Sequence, residues 1–167
     1  MGQSDNAYTV SELARYVTTI ANSGSCYDLS LISKTTDSNG NTVTEHEPKL
    51  HSQVSMPQED WDAIHEGMKQ VVQNSSAFTG YKGVSVSGKT GTAQEVVTKP
   101  NHALFVGYAP SDKPTMALAV RVANGYSSAN TAAIAKDVVN YYFNQKDLSE
   151  LTPGHAIQVQ SGNTRND

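Results

Sequence analysis

Cys26 is the chain's one cysteine, so no internal disulfide and no cysteine-based metal site can form within it. Long apolar runs are also missing. No stretch approaches the ~20 residues that a helix needs to cross a bilayer, and the opening Met1-Gly2-Gln3-Ser4-Asp5-Asn6 is polar where a secretory signal would be apolar. Taken alone, these absences describe a soluble chain, or a piece cut from something larger. A basic excess is absent too. Lys and Arg number 12 against 16 Asp and Glu, the net charge is −4, and the basic residues are scattered, so nucleic acid is not an expected partner. Nothing in the sequence asks for a metal or a cofactor. Apolar residues make up 37% of 167, which points to long polar segments around a core of one domain or part of one.

The ordered segments are legible from their periodicities. Thr9-Val10-Ser11-Glu12 has the form of a capping box, and Leu13, Tyr16, Val17 and Ile20 follow at helical spacing until Asn22-Ser23-Gly24 stops them. Residues 29–36 read as a strand, and Asn39-Gly40 as the turn of a polar hairpin returning over 42–45. Ser55-Met56-Pro57-Gln58 suggests a second capping box, with Trp61, Ile64, Met68, Val71 and Val72 as the apolar stripe behind it and His65 as a packing residue. Residues 74–83 form a loop into a strand over 84–96. The stretch 102–109 is apolar on both faces and fits a central strand covered on both sides. A third strand over 115–123 carries small residues, Ala117 and Ala119, on one face, where a helix can pack closely. A last helix over 130–143 presents Ile134, Ala135, Val138, Tyr141 and Tyr142 on one side, expected to face the core. The short loops between the three strands favour antiparallel pairing. The expected class is α/β of the α+β type, an antiparallel sheet flanked by helices over residues 1–145, with a polar, disordered tail over 146–167.

Within the first of these three strands, Ser87-Gly88-Lys89-Thr90-Gly91-Thr92-Ala93-Gln94 concentrates polar chemistry. Lys89 supplies a point charge, Thr90 and Thr92 supply hydroxyls, and Gly91 leaves the strand bare for close approach. That set suits an anionic ligand lying along a strand edge. Strict alternation sends Lys89 and Thr90 to opposite faces, so a site using both must straddle the edge. By average residue usage a Lys-Thr-Gly tripeptide arises by accident in roughly one chain in 25 of this length, so its context decides.

That context resembles the penicillin-binding proteins. The Lys-Thr-Gly stretch is similar to their third signature, which they share with the serine β-lactamases. His102-Ala103-Leu104-Phe105-Val106-Gly107-Tyr108-Ala109-Pro110 resembles the strand that follows in the class B transpeptidases, with Leu104 where many members carry Trp. Gly2-Gln3-Ser4, Tyr8-Thr9-Val10, Leu13-Ala14 and Ile20-Ala21-Asn22-Ser23-Gly24 resemble the Gly-Gln segment and helix that precede it, with Val10 where Pro is commoner. The match runs over about residues 1 to 145. The first signature, Ser-x-x-Lys, is missing, since no Lys in the chain has a Ser three positions before it. Ser4-Asp5-Asn6 and Ser128-Ala129-Asn130 fit the spelling of the second signature, but neither stands where the family places it.

The resemblance therefore implies the C-terminal part of a transpeptidase domain from an elongation-type peptidoglycan D,D-transpeptidase. The implied fold is a partial penicillin-binding-protein/serine β-lactamase fold. In the intact family Lys89 would keep the cleft positive, Thr90 would bind the carboxylate of a stem peptide or β-lactam, and the Thr92 amide would form half of the oxyanion hole. Gly91 would keep the edge clear. The nucleophilic serine lies outside this chain, so the chain alone is expected to be inactive. Implied partners are peptidoglycan stem peptides, β-lactams and the missing N-terminal part of the domain, with self-association through the surface that part would cover. The resemblance places the parent, held by a membrane anchor, at the extracytoplasmic face of the bacterial membrane. Two other readings stay open at this level: a D,D-carboxypeptidase or β-lactamase fragment, and a non-enzymatic penicillin-recognising module. His102 is expected to be structural, and Tyr126, Ser127 and Ser128 to border the cleft.

Overall fold

The computed structural model describes residues 7–95 and 97–152. The chain opens with helix α1, Val10–Ala21. Its start matches the capping box read from sequence: the Glu12 amide donates to the Thr9 hydroxyl at 3.2 Å, and the Thr9 amide donates to the Glu12 carboxylate at 2.7 Å. Two small ribbons follow. Strand β1, Ser25–Tyr27, and strand β4, Leu50–Gln53, form one antiparallel pair. Strands β2, Lys34–Thr36, and β3, Thr42–Glu45, form the other. The expected strand over 29–36 is thus corrected: only its end is a strand, and 28–33 runs irregularly between two ribbons. The Asn39-Gly40 turn holds as read. The Asp37 carboxylate accepts from the Asn39 and Asn41 amides, both at 2.9 Å, and closes it.

Helix α2, Gln58–Gln73, buries Trp61, Met68 and Val72 from its expected stripe, and His65 packs as expected, bonded to the Ile20 carbonyl at 2.9 Å. Its proposed capping box is not there. Pro57 is the N-cap and makes no side-chain bond, so the first turn relies on Glu59 and Asp60 against the helix dipole. A 3₁₀ turn, Ser76–Phe78, leads into the main sheet. This sheet contains β5, Ser87–Ala93, β6, His102–Ala109, and β7, Met116–Val122, in the order β5-β6-β7 and antiparallel throughout. The strand β6 is central, as its two apolar faces require.

Helix α3, Ser128–Tyr142, lies on one face of the sheet, and its first turn is capped by the Ser127 hydroxyl. The expected stripe on this helix is wrong in all but one residue. Ile134, Val138, Tyr141 and Tyr142 are exposed, and the buried positions are Thr131, Ala132, Ala135, Val139 and Asn140. Small side chains let the helix axis approach the sheet, so Ala132 and Ala135 pack with Phe105, Val139, Phe78 and Leu118 in one core. On the other face, α1 packs over Ala117 as its small side chain allows, and Val17, Met68 and Tyr108 form a second core. A single helical turn, α4, Leu148–Leu151, with a capping box between Asp147 and Glu150, interrupts the segment read as a loose tail. Among the described residues no helix is long and apolar enough to cross a membrane.

Candidate active-site wall

The strand β5 is an edge. It pairs with β6 alone among the described strands, in the register Lys89↔Val106, Thr90↔Phe105, Gly91↔Leu104 and Thr92↔Ala103. Cross-strand partners share a face. Thr90 therefore lies on the α3 side with Phe105, and Lys89 lies on the α1–α2 side with Val106. The two side chains straddle the edge, as alternation requires.

The backbone direction follows from a second observation. A residue's N–H and C=O point the same way along an extended strand, and the direction alternates. The Ser87 carbonyl faces β6, because a Cβ on Gly107 would come within 2.6 Å of it. Lys89 and Gly91 then also pair inward, and Thr90 and Thr92 direct their backbone groups to the outer edge. The Lys89 ammonium agrees: it folds over that edge and donates to the Thr90 carbonyl at 2.9 Å. The ammonium, the two outward backbone groups and the Thr90 hydroxyl thus lie along one strand edge, suited to an extended, anionic ligand.

The glycines of this hairpin divide by purpose. Gly88 and Gly107 oppose each other under the Phe105 ring, whose atoms come within 2.4 Å and 2.8 Å of where their Cβ atoms would stand. Those two serve packing. A Cβ on Gly91 would meet only the Leu104 Cβ, at 3.4 Å, so packing tolerates one there. Bareness at Gly91 is something the fold does not need.

His102, at the far end of the hairpin, holds it shut. Its Nδ1 accepts from the Asn124 amide at 3.0 Å, which leaves the ring proton on Nε2 to be donated to the Glu95 carboxylate. The Glu95 carboxyl is held below its ordinary range, first by that bond, with the positive charges of Arg121 and Lys99 adding to it. Sequence reasoning rightly assigned His102 to structure but missed Glu95, seven residues away across a turn. Ser87 is fully buried and donates to Ser111 at 2.9 Å, fastening the strand's start.

Ser128 opens α3, where its carbonyl accepts from Thr131, and Asn130 donates to the Gly125 carbonyl, so that pair builds a helix start. Ser4-Asp5-Asn6 and the Gly2-Gln3 segment lie outside the described residues. A cavity of about 830 Å³ lies elsewhere. It lies between α1 and α2 and is lined by Leu13, Tyr16, Ile20, Val54, Trp61 and Ile64 among others. Its walls are apolar, which suits packed chain and not an anion.

Comparison with known proteins shows a family. The family described as "Penicillin binding protein transpeptidase domain" matches residues 1–140. Penicillin-binding protein 2B of Streptococcus pneumoniae is 34% identical over 157 residues, covering 84% of this chain and 23% of the relative. Peptidoglycan D,D-transpeptidase MrdA of Haemophilus influenzae is 35% identical over 121 residues, covering 60% and 18%. Among solved structures, an imipenem acyl-enzyme complex of penicillin-binding protein A from M. tuberculosis superposes with a TM-score of 0.76 at 28% identity, covering 85% of this chain and 32% of that one. The chain spans about a quarter or less of the length of these curated relatives.

Proposed function

Because the chain belongs to the penicillin-binding protein transpeptidase domain family, we propose that its β5 edge is one wall of a serine-type peptidoglycan D,D-transpeptidase site. The observation that carries this is the straddled edge: Lys89 on one face, Thr90 on the other, and the Thr90 and Thr92 backbone directed outward between them. The nucleophile comes from outside these 167 residues, since no Ser-x-x-Lys occurs in them.

In this reading a serine from the preceding part of the domain attacks the carbonyl of a donor stem peptide. The acyl-enzyme forms as the terminal residue leaves, and the amine of a neighbouring strand then takes the acyl group. Lys89 swings off the Thr90 carbonyl to hold the cleft positive. Thr90 hydrogen-bonds the donor's carboxylate, or that of a β-lactam in its place. The Thr92 amide supplies half of the oxyanion hole. The bare Gly91 lets the substrate lie against the strand, which explains a glycine that packing does not demand. The parent works at the extracytoplasmic face of the membrane, where stem peptides are.

The test is a transplant. This chain replaces the matching stretch of the S. pneumoniae relative, and acylation by a labelled penicillin is timed. Lys89→Ala is expected to slow acylation by about 10²-fold, a size typical of losing one preorganised electrostatic contact. Thr90→Val is expected to slow it by about tenfold, the cost of one hydrogen bond to a charged group. Unchanged rates in both variants, or no acylation of the unaltered transplant, would remove the proposal.

A further inference from the structure

A second polar site lies away from the Lys-Thr-Gly edge, where the loop before β5 meets the end of α3. It is a cavity of about 410 Å³ walled by Lys82, Lys136, Lys146, Asn140, Gly83 and Tyr81 among others. Three lysines line it and, among the described residues, no Asp or Glu does, in a chain where acidic residues outnumber basic ones 16 to 12. Such a cluster repels itself unless an anion relieves it.

The usual reason for lysines at a helix C-terminus is to satisfy its last carbonyls. That demand is met by other donors here. The Asn140 carbonyl accepts from the Gln145 amide at 2.7 Å and the Lys146 amide at 3.3 Å. Among the described residues, Lys136 alone of the three lysines donates to a carbonyl, that of Ala77 at 2.8 Å, which fixes its position on the wall.

Two further groups make this a built cavity. Asn140 is 4% exposed and lines it, and neither polar atom of its amide is among the sealed, unpartnered atoms. No side-chain hydrogen bond of Asn140 is found among the described residues. The Tyr81 hydroxyl is sealed from solvent, with the backbone of Gly83 laid over it so closely that a Cβ there would stand 2.3 Å away. Burial raises its pKa, with a bond to the Val84 backbone working against the rise.

We propose that this cavity binds a phosphate-type oxyanion through Lys82, Lys136 and Lys146, with the Asn140 amide as a neutral donor. Three point charges suit a group of charge −1 to −2 with several equivalent oxygens. The volume exceeds that of one phosphate, leaving room for an ester substituent, so the source is either a free phosphate or a phosphorylated headgroup.

Two probes separate these sources. Inorganic phosphate is titrated into ¹⁵N-labelled chain at ionic strength held constant with chloride, and phosphatidylglycerol vesicles diluted in phosphatidylcholine are tested by co-sedimentation. The expected result is a saturable response to at least one probe. With free phosphate, the shifts centre on amides 79–83 and 136–146. The double variant Lys82→Gln/Lys146→Gln, whose two side chains are exposed and leave the fold intact, weakens that response by about tenfold or more. Response to vesicles alone assigns the site to a headgroup, and response to phosphate assigns it to the free anion. No response to either probe, or one that the double variant keeps, overturns the site and leaves the β5 reading untouched.

Discussion

On the α3 side of the main sheet, Phe105, Ala132, Ala135 and Val139 are almost wholly shielded, and the core they form is complete within this chain. On the α1–α2 side, Val17 and Tyr108 are equally shielded, but the two helices leave an apolar groove between them in which Tyr16 is 60% and Ile64 is 37% exposed. The first face is finished and the second is not. An apolar groove of this size is unusual on a surface meant to meet water. The chain covers 32% of a solved relative, and we propose that a further part of the domain covers this groove. The Lys-Thr-Gly strand borders both faces, Thr90 on the first and Lys89 on the second.

The contrast can be broken by mutation. Phe105→Ala is expected to cost about 3–5 kcal/mol in chemical denaturation, because it opens a cavity in the finished core. Tyr16→Ala, on the unfinished side, should change stability by no more than about 0.5 kcal/mol. Equal losses would mean that both faces are closed in solution, as self-association through the groove would produce. Next in size, Gly107→Ala should cost about 1–3 kcal/mol, since its Cβ would press on the Ser87 carbonyl and the Phe105 ring. Gly91→Ala should stay within about 0.5 kcal/mol in the same measurement yet impair acylation in the transplant. That pair separates a glycine needed for packing from one needed for substrate.

Smaller effects test the ends of the elements. Thr9→Ala should cost about 1 kcal/mol through loss of the α1 capping box, read by thermal melting. The Glu95–His102 bridge gives a pH dependence. Glu95 has its pKa lowered in the fold, so its contribution is fully present above the ordinary carboxylate value and is lost as pH falls through the lowered one. Protection of the Asn124 amide, relative to its intrinsic exchange rate at each pH, should fall over that acid range, and Glu95→Gln should flatten the dependence.

These elements also show what a sequence can disclose. The three sheet strands and α1 were legible because each carries a local rule: alternation, two-sided apolarity, or a capping box between Thr9 and Glu12. The edge chemistry of Lys89 and Thr90 was legible for the same reason, since alternation alone demands that they straddle. The β1–β4 pair was not, because its strands are three and four residues long and meet across more than 20 residues of chain. The α3 face misled for a different reason. Its contact uses Ala132, Ala135 and Val139 at helical spacing, small enough to bring the helix close, while the larger aromatic pair beside them faces outward. Reading by side-chain size selected the wrong side. The cap of α2 failed because Pro57 takes the N-cap position, where the sequence pattern pointed to Ser55.

The central claim is that this chain holds one wall of a penicillin-reactive site and not its nucleophile. It is tested most directly by incubating the chain with benzylpenicillin and weighing the intact protein. An unchanged mass is the predicted result. A covalent adduct on any serine would contradict it, because it would place a reactive nucleophile inside a sequence that has no Ser-x-x-Lys.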